Sequence, residues 1–93
     1  MDFGNKTVWI TGASSGIGEA LARGLAKRGA RIILSGRRVD ALERVAKSLS
    51  AETLVLPFEA TDYDALPAVV AKAQGWKGGV DLLINNAGVS QRS

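Results

Sequence analysis

A stretch rich in glycine and serine near the amino end has the composition and spacing of a phosphate-binding turn. Residues 11–18 read Thr-Gly-Ala-Ser-Ser-Gly-Ile-Gly. An apolar run, residues 7–10, precedes this stretch, and a run with helical periodicity opens at Ile17. A buried strand that feeds a glycine-rich turn and then a helix can bind a pyrophosphate, because free backbone N–H groups and the positive end of the helix dipole both point at the phosphates.

Each of the three glycines in this turn has a separate predicted function. We expect Gly12 to permit the tight turn out of the strand, Gly16 to let a ligand approach the backbone, and Gly18 to let the helix pack closely on the sheet. The spacing Gly-x-x-x-Gly-x-Gly differs from the commoner Gly-x-Gly-x-x-Gly, and no Gly-Lys-Ser/Thr ends it, so a P-loop is excluded. By itself the pattern leaves open a turn that binds nothing.

The composition is that of one small globular domain. Of the 93 residues, 46% are hydrophobic and 23% are charged, and the net charge is +3. No apolar run is long enough to cross a membrane, and residues 1–6 lack the apolar core of a signal peptide. The chain has no histidine and no cysteine, and the lack of cysteine excludes disulfides and thiolate metal sites within it. We expect a cytoplasmic location. We expect no nucleic-acid partner, because the basic residues are scattered along the chain and aromatic residues make up only 5% of it.

The hydrophobic pattern predicts alternating strands and helices, β-α-β-α-β-α-β. The predicted strands are Thr7–Thr11, Ile32–Leu34, Thr53 to Leu56 or Phe58, and Val80–Asn85; the predicted helices are Gly16–Arg28, one from near Asp40, and one after Asp62 with Pro67 in its first turn. The positions expected to face the core are Ile17, Leu21 and Leu25 in the first helix, Leu42, Val45, Ala46 and Leu49 in the second, and Leu66, Val69, Val70 and Ala73 in the third. We expect Asp40 to cap the second helix, with Glu43 three residues on.

Near-continuous apolar strands joined by helices imply a parallel sheet that is covered on both faces. We therefore predict an α/β fold, a doubly wound sheet of Rossmann type with strand order 3-2-1-4. The order reverses between the first and fourth strands, and ligands bind at such a switch point, outside the carboxyl ends of the strands. The glycine turn and residues 85–88, Asn-Asn-Ala-Gly, should meet there.

These two motifs, Thr-Gly-Ala-Ser-Ser-Gly-Ile-Gly and Asn-Asn-Ala-Gly, resemble those of the short-chain dehydrogenase/reductase family in its non-extended branch. The resemblance covers essentially the whole chain and implies an NAD(P)(H)-dependent oxidoreductase acting on a carbonyl or alcohol. The residues that it implies around the pyrophosphate and adenosine ribose are Gly12, Ser14, Ser15, Gly16, Ile17 and Gly18, and those against the ribose and central strands are Asn86, Ala87 and Gly88. A purely architectural role stays open for Asn86 and is favoured for Asn85.

The end of the second strand bears on the choice of cofactor. An acidic residue about twenty positions after the glycine turn would hydrogen-bond the ribose 2′-hydroxyl of NAD. The family's acidic residue would fall on Gly36, which is followed by Arg37 and Arg38, and the first carboxylate after Gly36 is that of Asp40. A glycine leaves room for a 2′-phosphate and arginine offers a fork of donors to it, so we predict NADP. The alternative is that both arginines are solvated loop charges.

One departure from the family pattern concerns the adenine end. The family commonly has Asp-Val after its third strand, where the acid meets the adenine amino group, whereas this chain has Glu59-Ala60. The longer glutamate side chain could reach the same atom, with Ala60 contributing backbone, or Glu59 could face solvent.

No catalytic residue is assigned. The resemblance implies an active-site serine and a Tyr-x-x-x-Lys beyond residue 93, and Tyr63 has Pro67 where the lysine would stand. Ser90 is interpreted as a loop residue near the nicotinamide end. We therefore expect residues 1–93 to be the cofactor-binding half of a single-domain reductase, inactive alone, with the fourth strand at a sheet edge and a homo-oligomer at full length.

Three functions stay open at this point. The first is the NADP(H)-dependent oxidoreductase, with a small carbonyl or alcohol substrate. The second is a non-catalytic module that binds or senses NADP(H). The third is a sheet-edge interaction protein in which the nucleotide site is vestigial.

Overall fold

The strands form one parallel sheet in the predicted order. The computed structural model describes residues 3–59 and 62–86. Its elements are β1 (Thr7–Thr11), α1 (Gly16–Lys27), β2 (Arg31–Ser35), α2 (Val39–Ser48), β3 (Thr53–Val55), a 3-10 turn (Tyr63–Ala65), α3 (Leu66–Gly75) and β4 (Leu82–Asn85). The four strands lie in the order β3-β2-β1-β4 with parallel pairing throughout. The α/β, Rossmann-type prediction is confirmed.

The core has two parts because the sheet is covered on both faces. Successive residues of β1 alternate between them: Val8 and Ile10 pack with residues of α1 and α2, whereas Trp9 packs with Val69 and Ala73 of α3. Every residue of β1 is buried, which explains its uninterrupted apolar run. Within the described residues, β4 is an edge strand as predicted, and its Leu82 and Leu83 are exposed.

The buried faces of two helices differ from the prediction. Ile17 is 63% exposed, and the residues of α1 that are buried are Gly18 and Ala22. Small residues at this spacing let the helix lie close to the sheet, which turns Ile17 outward and leaves Leu21 and Leu25 at the margin of the core. In α3, Val69 and Ala73 are buried but Val70 is 43% exposed.

The element ends also correct several expectations. Asp40 is not the cap of α2, because the helix begins at Val39 and its N-cap position is Arg38, which makes no side-chain capping bond. Asp40 instead lies in the first turn, where its charge favours the helix dipole. Pro67 lies in the first turn of α3, as predicted. The fourth strand begins at Leu82 and not at Val80; just before it, the Asp81 carboxylate accepts from the N–H of Thr7 in place of a backbone carbonyl.

A buried hydrogen-bonded chain joins β1, β2 and the residue that directly follows β3. Trp9 Nε1 donates to Ser35 Oγ at 2.7 Å, and that hydroxyl donates to the carbonyl oxygen of Leu56, also at 2.7 Å. Ser35 is fully buried. Its hydroxyl therefore satisfies two groups that would otherwise be buried without partners.

Within the described residues, no helix has the length and hydrophobicity to span a bilayer.

We expect Ser35→Ala to lower the free energy of unfolding by about 2 kcal/mol, because it leaves a buried donor and a buried acceptor unpaired. Urea unfolding followed by circular dichroism measures this. Ser48→Ala is the matched control, since the one bond of the Ser48 hydroxyl within the described residues is to the carbonyl of Val45 in its own helix. A Ser35 variant no less stable than the Ser48 variant would contradict the assigned role.

Candidate functional site

The glycine turn leaves β1 and enters α1 through a compact set of hydrogen bonds. Gly12 has a φ of 64°, in the left-handed region that favours glycine, in agreement with the predicted tight turn. Ser15 caps α1: its Oγ accepts from the N–H of Gly18 at 3.2 Å and donates to the carbonyl oxygen of Gly12 at 2.8 Å. The Ser15 side chain thus stabilises the turn without any ligand.

Gly18 and Gly16 face different surroundings. A Cβ at Gly18 would collide with the carbonyl oxygen of Gly12 and lie 2.9 Å from Ala13 Cα, so glycine is required for this close packing. A Cβ at Gly16 would meet nothing within 4 Å. The start of α1 is therefore packed tightly on its inner side and open on its outer side, as a backbone that receives a ligand needs to be.

The end of β4 is tied to the same turn. Asn86 Nδ2 donates to the carbonyl oxygen of Gly12 at 3.1 Å and to Ser15 Oγ at 2.9 Å. Asn85 lies in register with Thr11, whose hydroxyl donates to Asn85 Oδ1 at 2.8 Å. Both asparagines thus have an architectural role, and the two motifs meet at the switch point. The other predicted members of this loop, Ala87 and Gly88, lie outside the described residues.

The tails of β2 and β3 form a second wall. The N–H of Phe58 donates to the carbonyl oxygen of Gly36 at 3.0 Å, which continues the parallel ladder beyond the strands. Just past this bond, Arg37 Nη1 and Glu59 Oε2 lie 3.7 Å apart. A Cβ at Gly36 would be 3.9 Å from Ser14 Oγ, so the second wall and the glycine turn are close neighbours. Ala60, predicted at the adenine end, lies outside the described residues.

A cleft of about 390 Å³ lies between the two walls. The residues that line it are Thr11, Gly12, Ser14, Ser15, Gly36, Arg37, Arg38, Phe58 and Glu59. Four residues predicted at the site do not line this cleft. Gly16, Ile17 and Gly18 lie in the first turn of α1, and Asn86 bonds the glycine turn. Thr11 and Phe58 line it without having been predicted, although the position of Phe58 directly before Glu59 was a usable signal.

The cleft combines a helix N-terminus with two cationic side chains. Among its lining residues, Arg37 and Arg38 carry positive charge and Glu59 carries negative charge. A cleft of this kind attracts anions, because two guanidinium groups line it and the positive end of the α1 dipole lies beside it.

Comparison with known proteins places this arrangement in a family. The family described as short chain dehydrogenase matches residues 6–93. The chain belongs to the short-chain dehydrogenase family. The family is one of oxidoreductases, and the resemblance inferred from the two motifs is confirmed.

Relatives in the short-chain dehydrogenase family match nearly the whole chain. "Dehydrogenase/reductase SDR family member 7" of Homo sapiens is 45% identical over 96% of this chain, which corresponds to 28% of that protein. Gluconate 5-dehydrogenase of Gluconobacter oxydans is 42% identical over 90% of this chain and 34% of its own length. The chain thus spans about a third of the length of these curated relatives.

A solved short-chain dehydrogenase structure shares the fold. The crystal structure of L-sorbose reductase from Gluconobacter frateurii, complexed with NADPH and L-sorbose, superposes with a TM-score of 0.85 and 39% identity. It covers 100% of this chain, and the match corresponds to 38% of the reductase.

We expect Gly18→Ala to destabilise the protein by about 1–3 kcal/mol, because the added methyl group overlaps backbone that cannot move without opening the turn. Thermal unfolding measures this loss. Gly16→Ala is the matched control: it adds the same methyl group to the same helical turn, where nothing lies within 4 Å. Equal unfolding temperatures for the two variants would show that the close approach at Gly18 is not required.

Proposed function

We propose that residues 1–93 bind NADP(H) and form the cofactor-binding part of an oxidoreductase that transfers hydride between a nicotinamide cofactor and a carbonyl or alcohol substrate. The observation that carries this proposal is the cleft itself. The glycine turn forms one wall of it, and Gly36, Arg37 and Arg38 stand on the other. Bound NADPH would supply the hydride; the described residues would bind and orient it.

The start of α1 fits a pyrophosphate. The N–H of Ser15 bonds the carbonyl of Gly12, and the N–H of Gly18 bonds Ser15 Oγ. Within the described residues, the N–H groups of Gly16 and Ile17 are left for a ligand at the open side of the turn. The proposed contribution of Ile17 is therefore its backbone, since its side chain points to solvent.

The second wall fits a 2′-phosphate better than a bare 2′-hydroxyl. Gly36 offers no carboxylate to accept from that hydroxyl, and Arg37 and Arg38 offer charged donors beside it. The NADPH named in the complex of L-sorbose reductase supports the same cofactor. Sugar-derived compounds named for two of the relatives support a small carbonyl or alcohol as the substrate class.

The chemical step is proposed to depend on residues other than those described. Tyr63 is exposed on the 3-10 turn and does not line the cleft. Proton transfer to the developing alkoxide needs an acid within hydrogen-bond reach, and no residue of the described part is assigned that role. A cytoplasmic location, a homo-oligomer and the inactivity of the isolated 93 residues stay predictions.

The choice of cofactor is tested at Arg37 and Gly36. Removing a charge-assisted bond costs about 1.5–3 kcal/mol, so we expect Arg37→Ala to weaken NADPH binding roughly 10- to 100-fold and to leave NADH binding nearly unchanged. Gly36→Asp should reverse the preference, and its Cβ has room, with the nearest atom at 3.5 Å. Isothermal titration with both cofactors measures these constants. Arg44→Ala, an exposed change of equal charge on α2, is the control; equal losses for both cofactors in Arg37→Ala would refute the assignment.

The phosphate-binding turn is tested at Gly16. We expect Gly16→Val to abolish binding of both NADPH and NADH while the fold remains, because the branched side chain occupies the open space in front of the helix. Circular dichroism and cofactor titration on one sample separate folding from binding. Gly24→Val places the same side chain in α1 away from the turn, with only the flexible Arg28 within 4 Å, and should bind normally. Cofactor binding by a folded Gly16 variant would mean that the turn has no phosphate to hold.

A further inference from the structure

Backbone hydrogen bonds between the tails of β2 and β3 place Arg37 and Glu59 next to each other. The N–H of Leu56 bonds the carbonyl of Leu34 at 2.9 Å, and that of Phe58 bonds the carbonyl of Gly36 at 3.0 Å. Arg37 directly follows Gly36 in the chain, and Glu59 directly follows Phe58. Their proximity therefore follows from the register of β2 and β3, and their side chains meet at the rim of the cleft.

The pair is exposed and its partners are exchangeable. The side chain of Arg37 is 73% exposed and that of Glu59 is 45% exposed, with 3.7 Å between Nη1 and Oε2. Exposed pairs of this kind contribute little to stability, so the guanidinium can leave the carboxylate for a stronger acceptor at low cost. A phosphate with a charge near −2 is such an acceptor.

The two cations of the cleft are not equivalent. Arg37 faces Glu59, whereas no ion pair links Arg38 to an acid among the described residues. Glu59 thus cancels part of the positive charge at one of the two arginines that the 2′-phosphate would contact. NAD(H), which lacks this phosphate, would not compete for the guanidinium.

We propose that Glu59 is a specificity-determining residue that competes with the cofactor's 2′-phosphate for Arg37 and so reduces the preference for NADP(H) over NAD(H). This inference rests on the proposed function of the cleft. When no phosphate is present, the Glu59 carboxylate pairs with the Arg37 guanidinium. This ion pair must break before the guanidinium can bind the phosphate.

The test is Glu59→Gln, which removes the charge and keeps an amide oxygen that can accept from an adenine amino group. We expect it to strengthen NADPH binding about two- to fivefold, the size of an exposed ion pair, and to leave NADH binding unchanged. The gain should disappear when Arg37→Ala is also present. Glu52→Gln is the matched control, because it removes the same charge from the ion pair with Lys77, whose residues do not line the cleft. Isothermal titration on the intact protein provides all constants.

Several results would overturn this proposal, and they differ from one another. Unchanged NADPH affinity in Glu59→Gln would mean an inert ion pair, and weaker NADPH binding alone would mean that Glu59 positions Arg37. Equal losses for both cofactors would mean an adenine contact. A gain that persists beside Arg37→Ala would mean direct repulsion of the phosphate. If Arg37→Ala itself leaves NADPH binding intact, the proposed function of the cleft fails, and the inference fails with it.

Discussion

The carbonyl oxygen of Gly12 is the point on which the site is built. It accepts from the N–H of Ser15, from Ser15 Oγ and from Asn86 Nδ2, so one atom joins the end of β1, the start of α1 and the residue after β4. This convergence leaves no room for a Cβ at Gly18. The glycine is therefore required by packing inside the turn, and the position of the helix N-terminus is fixed before any ligand arrives.

A consequence of this packing is that the polar groups of the turn are divided between two functions. The Ser15 hydroxyl donates one hydrogen bond and accepts two, which uses its full capacity within the protein. Within the described residues, the backbone N–H groups of Gly16 and Ile17 have no hydrogen-bond acceptor in the protein, and a Cβ at Gly16 would meet nothing within 4 Å. Side chains thus hold the turn and backbone is left for an anion, a division that suits recognition of a phosphate by position rather than by side-chain identity.

The second wall is joined directly to the turn, because the N–H of Ala13 donates to the carbonyl oxygen of Ser35 at 3.0 Å. The tails of β2 and β3 are aligned by ladder bonds that continue past both strands, and these bonds bring Arg37, Glu59 and Phe58 to the cleft. Phe58 in turn packs edge-on against Trp9, with ring centroids 6.5 Å apart, so this wall rests on the core face that contains α3. Residues 58–59 thus link the cleft to the core, because Glu59 carries charge at the cleft and Phe58 packs on the core.

Patterns in the sequence were sufficient to predict the kinds of elements, the parallel sheet with its strand order, the tight turn at Gly12 and the close packing of Gly18. These follow from local patterns: apolar runs, helical periodicity and the chemistry of turns. Three features became visible only in the folded chain: Ile17 faces solvent while Ala22 is buried, Asn86 bonds the turn, and Glu59 lies beside Arg37. Such features depend on how closely a helix approaches the sheet and on the register of strands that are distant in sequence. No local sequence pattern encodes the approach or the register.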